Sequence, residues 1–189
     1  MTSALVKTVT QDKRVQKTRQ ALFDAFFALV LERPYDEIKI DDIVTRAGIG
    51  RSTLYEHFPN KAAILAASLS GLFAVLADAV GKEHNAARLV RVLEHFWGNR
   101  ALAREMFADP LRRKTITVLV RLIEQRLKTE GFCKPNGLII PPRMAAIQIA
   151  EALLAPITVW LTAESSCSAT VLALALRKTA TALVGALRR

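Results

Sequence analysis

The stretch KIDDIVTRAGIGRSTLYEHFPNKAAIL, residues 39–65, decides the fold. Two short segments, about Ile40–Ala47 and Arg51–His57, flank Gly48-Ile49-Gly50. Gly48 sits just past the last apolar residue of the first segment, where a left-handed residue closes a helix and turns the chain. Pro59 stops the second segment, and Asn60 reads as the N-cap of a longer helix through about Val80. Ile43, Ala47, Ile49 and Leu54 supply apolar contacts that lock the short pair together. This is the geometry of a helix-turn-helix, whose second helix enters a DNA major groove. The groove admits one α-helix, so the reader helix must expose small polar and planar side chains. Arg51, Ser52, Thr53, Tyr55 and His57 provide that set.

The rest of the chain reads helical on both sides of this stretch. Residues 1–10 read as a flexible arm. A helix is expected from about Gln11 to Glu32, with Val15, Leu22, Phe26, Leu29 and Val30 at helical spacing and Pro34 beyond its end. Downstream, helices are expected over about Ala86–Gly98, Ala101–Phe107, Leu111–Thr129, Pro142–Ala163 and Ala169–Leu187. Pro110 and Pro142 suit first-turn positions. The loop GFCKPNGLIIPP, residues 131–142, is the clearest long connection. Strand-like alternation is scarce, so the expected fold class is all-α.

Composition narrows the function classes. The chain has 189 residues, of which 51% are apolar, enough for a real core. Its two cysteines, Cys133 and Cys167, form no CxxC pair, which argues against a disulfide framework or a structural zinc site. Residues 1–14 lack the apolar core of a secretory signal. The longest uncharged run, Ala62–Ala77, falls short of the ~20 apolar residues of a membrane span. The expectation is a soluble, cytoplasmic protein with no membrane partner. The net charge of +10 invites a polyanion, but its distribution does not single out residues 39–65. Residues 1–66 carry ten Lys/Arg against eight Asp/Glu, and residues 67–189 carry 17 against nine. The local basic positions Lys13–Arg19, Lys39, Arg51 and Lys61 are therefore the better argument for DNA.

The residues of the helix-turn-helix resemble the N-terminal domain of TetR-type transcriptional regulators. The likeness is carried by Asp42-Ile43, Ala47-Gly48-Ile49, Arg51-Ser52-Thr53-Leu54-Tyr55, Phe58-Pro59-Asn60-Lys61 and Leu65, and covers about residues 15–66. It implies a DNA-binding domain over 1–66 and a ligand-binding and dimerisation domain over 67–189. It also implies a homodimer on a near-palindromic double-stranded operator, a repressor more than an activator, with no enzymatic activity and no cofactor. A ligand in the second domain would swing the fourth helix and release the DNA. The alternative is a helical small-molecule binding protein that does not read DNA specifically.

Roles follow from chemistry. Arg51 and Ser52, opening the reader helix, are the base-edge candidates. Thr53 suits a phosphate or a thymine methyl, Tyr55 a phosphate or core packing, and His57 a DNA contact or plain surface. Lys61, in the first turn of the fourth helix, would hold a phosphate together with the helix N-terminus. Lys39 would face the backbone, and Arg14 and Lys17 could reach flanking phosphates or a minor groove, or the first helix would simply be a solvated basic face. Three positions depart from the family pattern. Gly50 replaces the usual Ser at the cap, Glu56 puts a negative charge on the reader helix, and Lys39 stands where Thr is frequent.

In the second domain, Ile147, Glu151, Leu154, Ile157 and Leu161 follow three- and four-residue spacing, as do Leu172, Leu176 and Leu183. These two helices are expected to form a two-fold four-helix interface, or else an internal core. Phe73, His95, Phe96, Trp97, Met106, Phe107 and Trp160 are the expected lining of a pocket for an apolar or aromatic effector, with core packing as the alternative. The run Arg112-Arg113-Lys114, with Arg121, Arg126 and Lys128 further along, reads as solvated surface or as a site for an anionic ligand or an acidic protein partner. His57, His84 and His95 lack metal-ligand spacing, and no Gly-rich phosphate loop or GxSxG elbow occurs, so no catalytic or metal residue is assigned.

Overall fold

A computed structural model of the chain describes residues 2–81, 85–134 and 137–188, with side chains from Lys13 onward. It divides into two units, Met1–Ser68 and Leu69–Arg189. The described residues form helices with a single isolated β-bridge, Leu138 to Arg188. The all-α class holds.

In the first unit, α1 spans Thr2–Glu32, α2 Ile40–Ala47 and α3 Arg51–His57, and α4 (Lys61–Ala77) begins. The expected arm is the start of α1, which begins at Thr2 and not near Gln11. No Pro or Gly precedes Pro34, so nothing in the sequence forces a later start. Val15 is exposed, because the apolar stripe of α1 reaches the core only from Leu22 onward. Leu22, Phe26, Ile38, Ile43, Leu54 and Ile64 are almost fully buried and draw α1, α2, α3 and the start of α4 around one centre. A short 3-10 turn, Tyr35–Glu37, follows Pro34 and adds the buried Tyr35 ring edge-on to Phe26.

Gly48 closes α2 in the left-handed region, with φ +65°. Its N–H donates to the Thr45 carbonyl at 3.3 Å, and the Ile49 N–H donates to the Val44 carbonyl at 3.1 Å. These bonds satisfy carbonyls that the end of a helix leaves without partners. Gly50 then caps α3 with extended backbone and no side-chain hydrogen bond. At the fourth helix, Asn60 Oδ1 accepts from the Ala63 N–H at 2.9 Å, the cap its position predicts.

In the second unit, the rest of α4 ends in a 3-10 turn (Asp78–Val80), followed by α5 (Ala86–Gly98), α6 (Arg100–Phe107), α7 (Arg112–Thr129), α8 (Pro142–Thr162) and α9 (Ala169–Ala186). Pro142 opens α8 as expected, whereas Pro110 lies before α7 and not in its first turn. The helix α8 packs against α6, α7 and α9. Its alanines Ala145, Ala146 and Ala150 are fully buried and let neighbouring backbones approach.

Among the described residues, three helical segments are long and apolar enough to cross a membrane: Lys61–Val80, Pro142–Thr162 and Ala169–Ala186, with mean hydropathies of 2.0, 1.7 and 1.3. This corrects the expectation drawn from the charge-free run. A few ionised residues inside or at the ends of a helix interrupt that run without shortening the helix. Half of the apolar window is buried inside the fold for the first two, but only 28% for α9.

Two glycine substitutions have opposite expected signs. Gly48→Ala places a Cβ in the left-handed region and lowers stability by about 1–2 kcal/mol. Gly71→Ala, in the exposed middle of α4 with no atom within 4 Å of the added Cβ, raises it by roughly 0.5–1 kcal/mol. Urea unfolding of the two variants checks both.

Candidate nucleic-acid interface

The helix α3 buries Leu54 and leaves Arg51, Ser52, Tyr55 and Glu56 exposed. Residues 51 and 55, and 52 and 56, are one turn apart, so the four share an outward face. Thr53 and His57 are half-buried at its edges. Tyr55 is 53% exposed, so its ring is not core, while Phe58 is buried at 2%. Glu56 therefore does not turn away: it sits on the face that would meet a groove. Lys39 is exposed at the start of α2, and Lys13, Arg14 and Lys17 are exposed on α1. Arg19 behaves differently, with its guanidinium over the Phe58 ring at 4.7 Å.

Two of the expected contacts are engaged within the chain. Arg51 donates from Nε and Nη2 to the two carboxylate oxygens of Asp41 on α2, a fork-to-fork pair. The hydrogen bonds from Arg51 hold the Asp41 carboxyl below its usual range. Asp41 thus stays ionised, and the tether intact, at any pH above the ordinary carboxylate range; mild acidification does not release Arg51. Lys61 differs more from expectation. Its Nζ donates to the carbonyls of Tyr35 and Ile38, each at 2.5 Å, and lies 4.1 Å from the centre of the Tyr35 ring. The ammonium meant for a phosphate ties α4 to the segment between α1 and α2.

The start of α2 shows why Lys can stand at position 39. A Lys side chain has no acceptor, so it cannot cap the helix as Thr would. The return half of the capping box still forms, because Asp42 Oδ2 accepts from the Lys39 N–H at 2.8 Å. Arg33 also lies 3.5 Å from Asp42.

Residues 22–68 match the profile of a family described as bacterial regulatory proteins, tetR family. That stretch of the chain is thus similar to the N-terminal domain of the TetR family. Two curated relatives from Bacillus subtilis (strain 168), both uncharacterized HTH-type transcriptional regulators, match at this end. YxbF is 37% identical over 68 residues, 35% of this chain, and YdeS is 35% identical over 52 residues, 28% of it. The matches span only 18% and 26% of the length of those two relatives. Among solved structures, a TetR transcriptional regulator from Streptococcus agalactiae 2603V shares the fold at TM-score 0.55 and 22% identity, over 92% of this chain and 99% of the other. A TetR-family regulator from Syntrophomonas wolfei does so at 0.52 and 19%, over 90% and 96%.

The second unit places the remaining expected residues differently. Leu154, Ile157, Leu161, Leu172 and Leu176 are buried in the unit's own core, so they are not the surface of a dimer. Leu183 is half-buried. Glu151 is held by Arg112 through both carboxylate oxygens. Of the expected set only Ile147 is an exposed apolar residue, at 45%. Other exposed apolar residues of these two helices are Met144 and Val159 on α8 and Val171 and Leu174 on α9. Spacing alone identified the stripe of each helix that packs inward.

The expected pocket is likewise core. Phe107 packs against Phe73 and edge-on to Phe96, with ring centres 6.2 and 5.5 Å apart, and Met106 is buried beside it in α6. Trp97 packs on Trp160, whose indole N–H donates to the Cys167 carbonyl at 2.9 Å, and His95 is exposed. The basic run is also partly internal: Arg112 pairs with Glu151, and Arg126 further along α7 pairs with Asp78.

Sequence reading missed Asp41. It lies ten residues from Arg51 on a different helix, so no helical spacing connects them. Asp41→Asn should release Arg51 and raise affinity for duplex DNA by up to about fivefold, the upper range of an exposed ion pair. Arg51→Ala should lower affinity for the preferred sequence about 5- to 150-fold if the guanidinium reads a guanine. Fluorescence anisotropy at one fixed salt concentration checks both.

Proposed function

We propose that the chain is a ligand-responsive transcriptional regulator and not an enzyme. It acts in the cytoplasm as a repressor, binds a near-palindromic operator as a homodimer, and is released by a small molecule. The observation that carries this reading is the outward face of α3, Arg51, Ser52, Tyr55 and Glu56, mounted on a buried apolar core. The exposed bases Arg14, Lys17 and Lys39 support it by offering backbone charge around that face. The proposed roles are Arg51 and Ser52 on base edges and Thr53, Tyr55 and His57 at the phosphates. Glu56 would accept from a cytosine amino group, the one favourable partner for a carboxylate in the groove. Lys61 would act by fixing α4, with any phosphate contact made by the Lys61–Ala63 backbone at the helix start.

The homodimer rests on α9. Its apolar window is mostly uncovered, and Val171 and Leu174 join Met144, Ile147 and Val159 of α8 as exposed apolar side chains. Two such surfaces related by a two-fold axis would bury one another and set two reader helices on successive turns of one duplex face. A ligand that prefers one state of residues 69–189 would shift operator affinity through the coupling, of about 1–3 kcal/mol in typical cases.

The second reading, a helical small-molecule binder without specific DNA reading, draws on the tether between Arg51 and Asp41 and on the inward commitment of Lys61. Selection from a random duplex pool separates the two. Recovery of a two-fold-related pair of half-sites about 10 base pairs, or a multiple of that, apart supports the regulator. Recovery of no preferred sequence, with only salt-sensitive affinity, supports the binder.

The dimer has its own check. Ile147→Glu together with Leu174→Glu should turn a sedimenting dimer into a monomer of unchanged helicity. A dimer that survives both charges places the interface elsewhere, and binding of the wild-type chain to neutral vesicles instead would assign the apolar face to a lipid surface.

A further inference from the structure

Asp41 holds Arg51 by one edge of its guanidinium only. The donors to the carboxylate are Nε and Nη2. A guanidinium is a rigid planar fork with more N–H donors than one carboxylate can take. The pair uses Nε–H and one Nη2 hydrogen, on the side of the fork. The Nη1 hydrogens and the second Nη2 hydrogen form its outer end and are not used by the pair. The Arg51 side chain is 63% exposed on the outward face of α3, so the outer end is accessible while the side is engaged.

That end selects its partner. It presents two parallel donors, from Nη1 and Nη2, and fits two acceptors set side by side. In the major groove, N7 and O6 of guanine are such a pair. Adenine sets a donor beside its N7, cytosine offers a donor, and thymine sets a methyl beside its acceptor. First contact with guanine therefore needs no break in the bonds to Asp41.

The placement of Asp41 suits this use. It lies in the first turn of α2, and Arg51 opens α3. The two helices are locked to one another by the buried Ile43 and Leu54, so the carboxylate is a fixed anchor for the arm. Ordering a free long side chain on contact costs a factor of about 2 to 13 in affinity. An arm already anchored is spared much of that loss. The saving applies to the base that Arg51 grips, because a mismatched base does not order the arm. We propose that Asp41 is a positioning residue for base reading, presenting the Nη1 and Nη2 end of Arg51 to guanine and raising the preference for a G·C pair at that position. The inference rests on the reading of Arg51 as a base contact. A carboxylate that only competed with DNA for Arg51 would have the opposite effect on base preference.

The test compares base preferences of the full chain. A preferred duplex is selected from a random pool, and the base pair that Arg51 reads is the one whose preference Arg51→Ala abolishes. Fluorescence anisotropy at one salt concentration then gives affinities for that duplex, for the same duplex with A·T at the position, and for one with 7-deazaguanine, which lacks the N7 acceptor. The wild-type chain should prefer guanine to both replacements. The carboxamide of Asp41→Asn sets a donor against one arm of the fork, so this variant should lose a factor of about 2 to 13 of that preference while its affinity for duplex of any sequence rises. Asp41→Ala should lose as much. Glu32→Gln, which removes the carboxylate paired with Arg46, should keep the preference whole. A guanine preference kept or sharpened in both Asp41 variants overturns the proposal and leaves Arg51 as the reader. An equal loss in Glu32→Gln overturns it too, as a general effect of charge. If Arg51→Ala abolishes no preference, the reading of Arg51 as a base contact fails and the proposal falls with it.

Discussion

Gly48 carries a backbone conformation that an L side chain resists, and two hydrogen bonds from Gly48 and Ile49 end α2 there. With α2 closed at that residue, three residues suffice to redirect the chain and start α3 at Arg51. The angle between the helices is then held by Ile43 on one and Leu54 on the other, both fully buried. Because Leu54 faces in, residues 51, 52, 55 and 56 must face out. The exposed chemistry of the reader helix is a consequence of the buried one.

Electrostatics around that face is a competition, and magnitudes decide it. The pair between Arg51 and Asp41 is largely exposed, so water and salt screen it and it adds little. A guanidinium gripping a guanine is worth about 1–3 kcal/mol of discrimination. On the proposed reading a groove would therefore outbid the tether, and without DNA Arg51 is held by Asp41 on the outward face of α3. The ammonium of Lys61 is different. It is part-buried and bonded to two backbone carbonyls, so withdrawing it would leave both acceptors short of a charged partner. Its contribution is to the frame that presents α3.

Local signals were legible in the sequence and long-range ones were not. Gly48, Pro59, Asn60 and Pro142 each act on their own neighbours, so their turns and caps could be placed from the residues alone. The helices from α2 to α9 fall close to their expected ends for the same reason. Helical spacing in α8 and α9 correctly marked apolar stripes, but each helix has two such sides. Leu154, Leu172 and Leu176 turn inward while Ile147, Val171 and Leu174 remain uncovered, a choice fixed by neighbours far away in sequence. The aromatic residues Phe73, Phe96 and Phe107 looked like a pocket because residue type does not distinguish a lined cavity from a filled one. A cavity that the described residues of the second unit do enclose is lined mainly by Ala, Val and Leu.

The central claim is that the outward face of α3 meets duplex DNA. Amide chemical-shift mapping of the full chain, titrated with a selected duplex, tests it directly. The account predicts the largest shifts at residues 50–57, with smaller ones at Lys39 and around Arg14 and Lys17. Shifts confined to residues 69–189, or spread evenly over the basic surface, would contradict it.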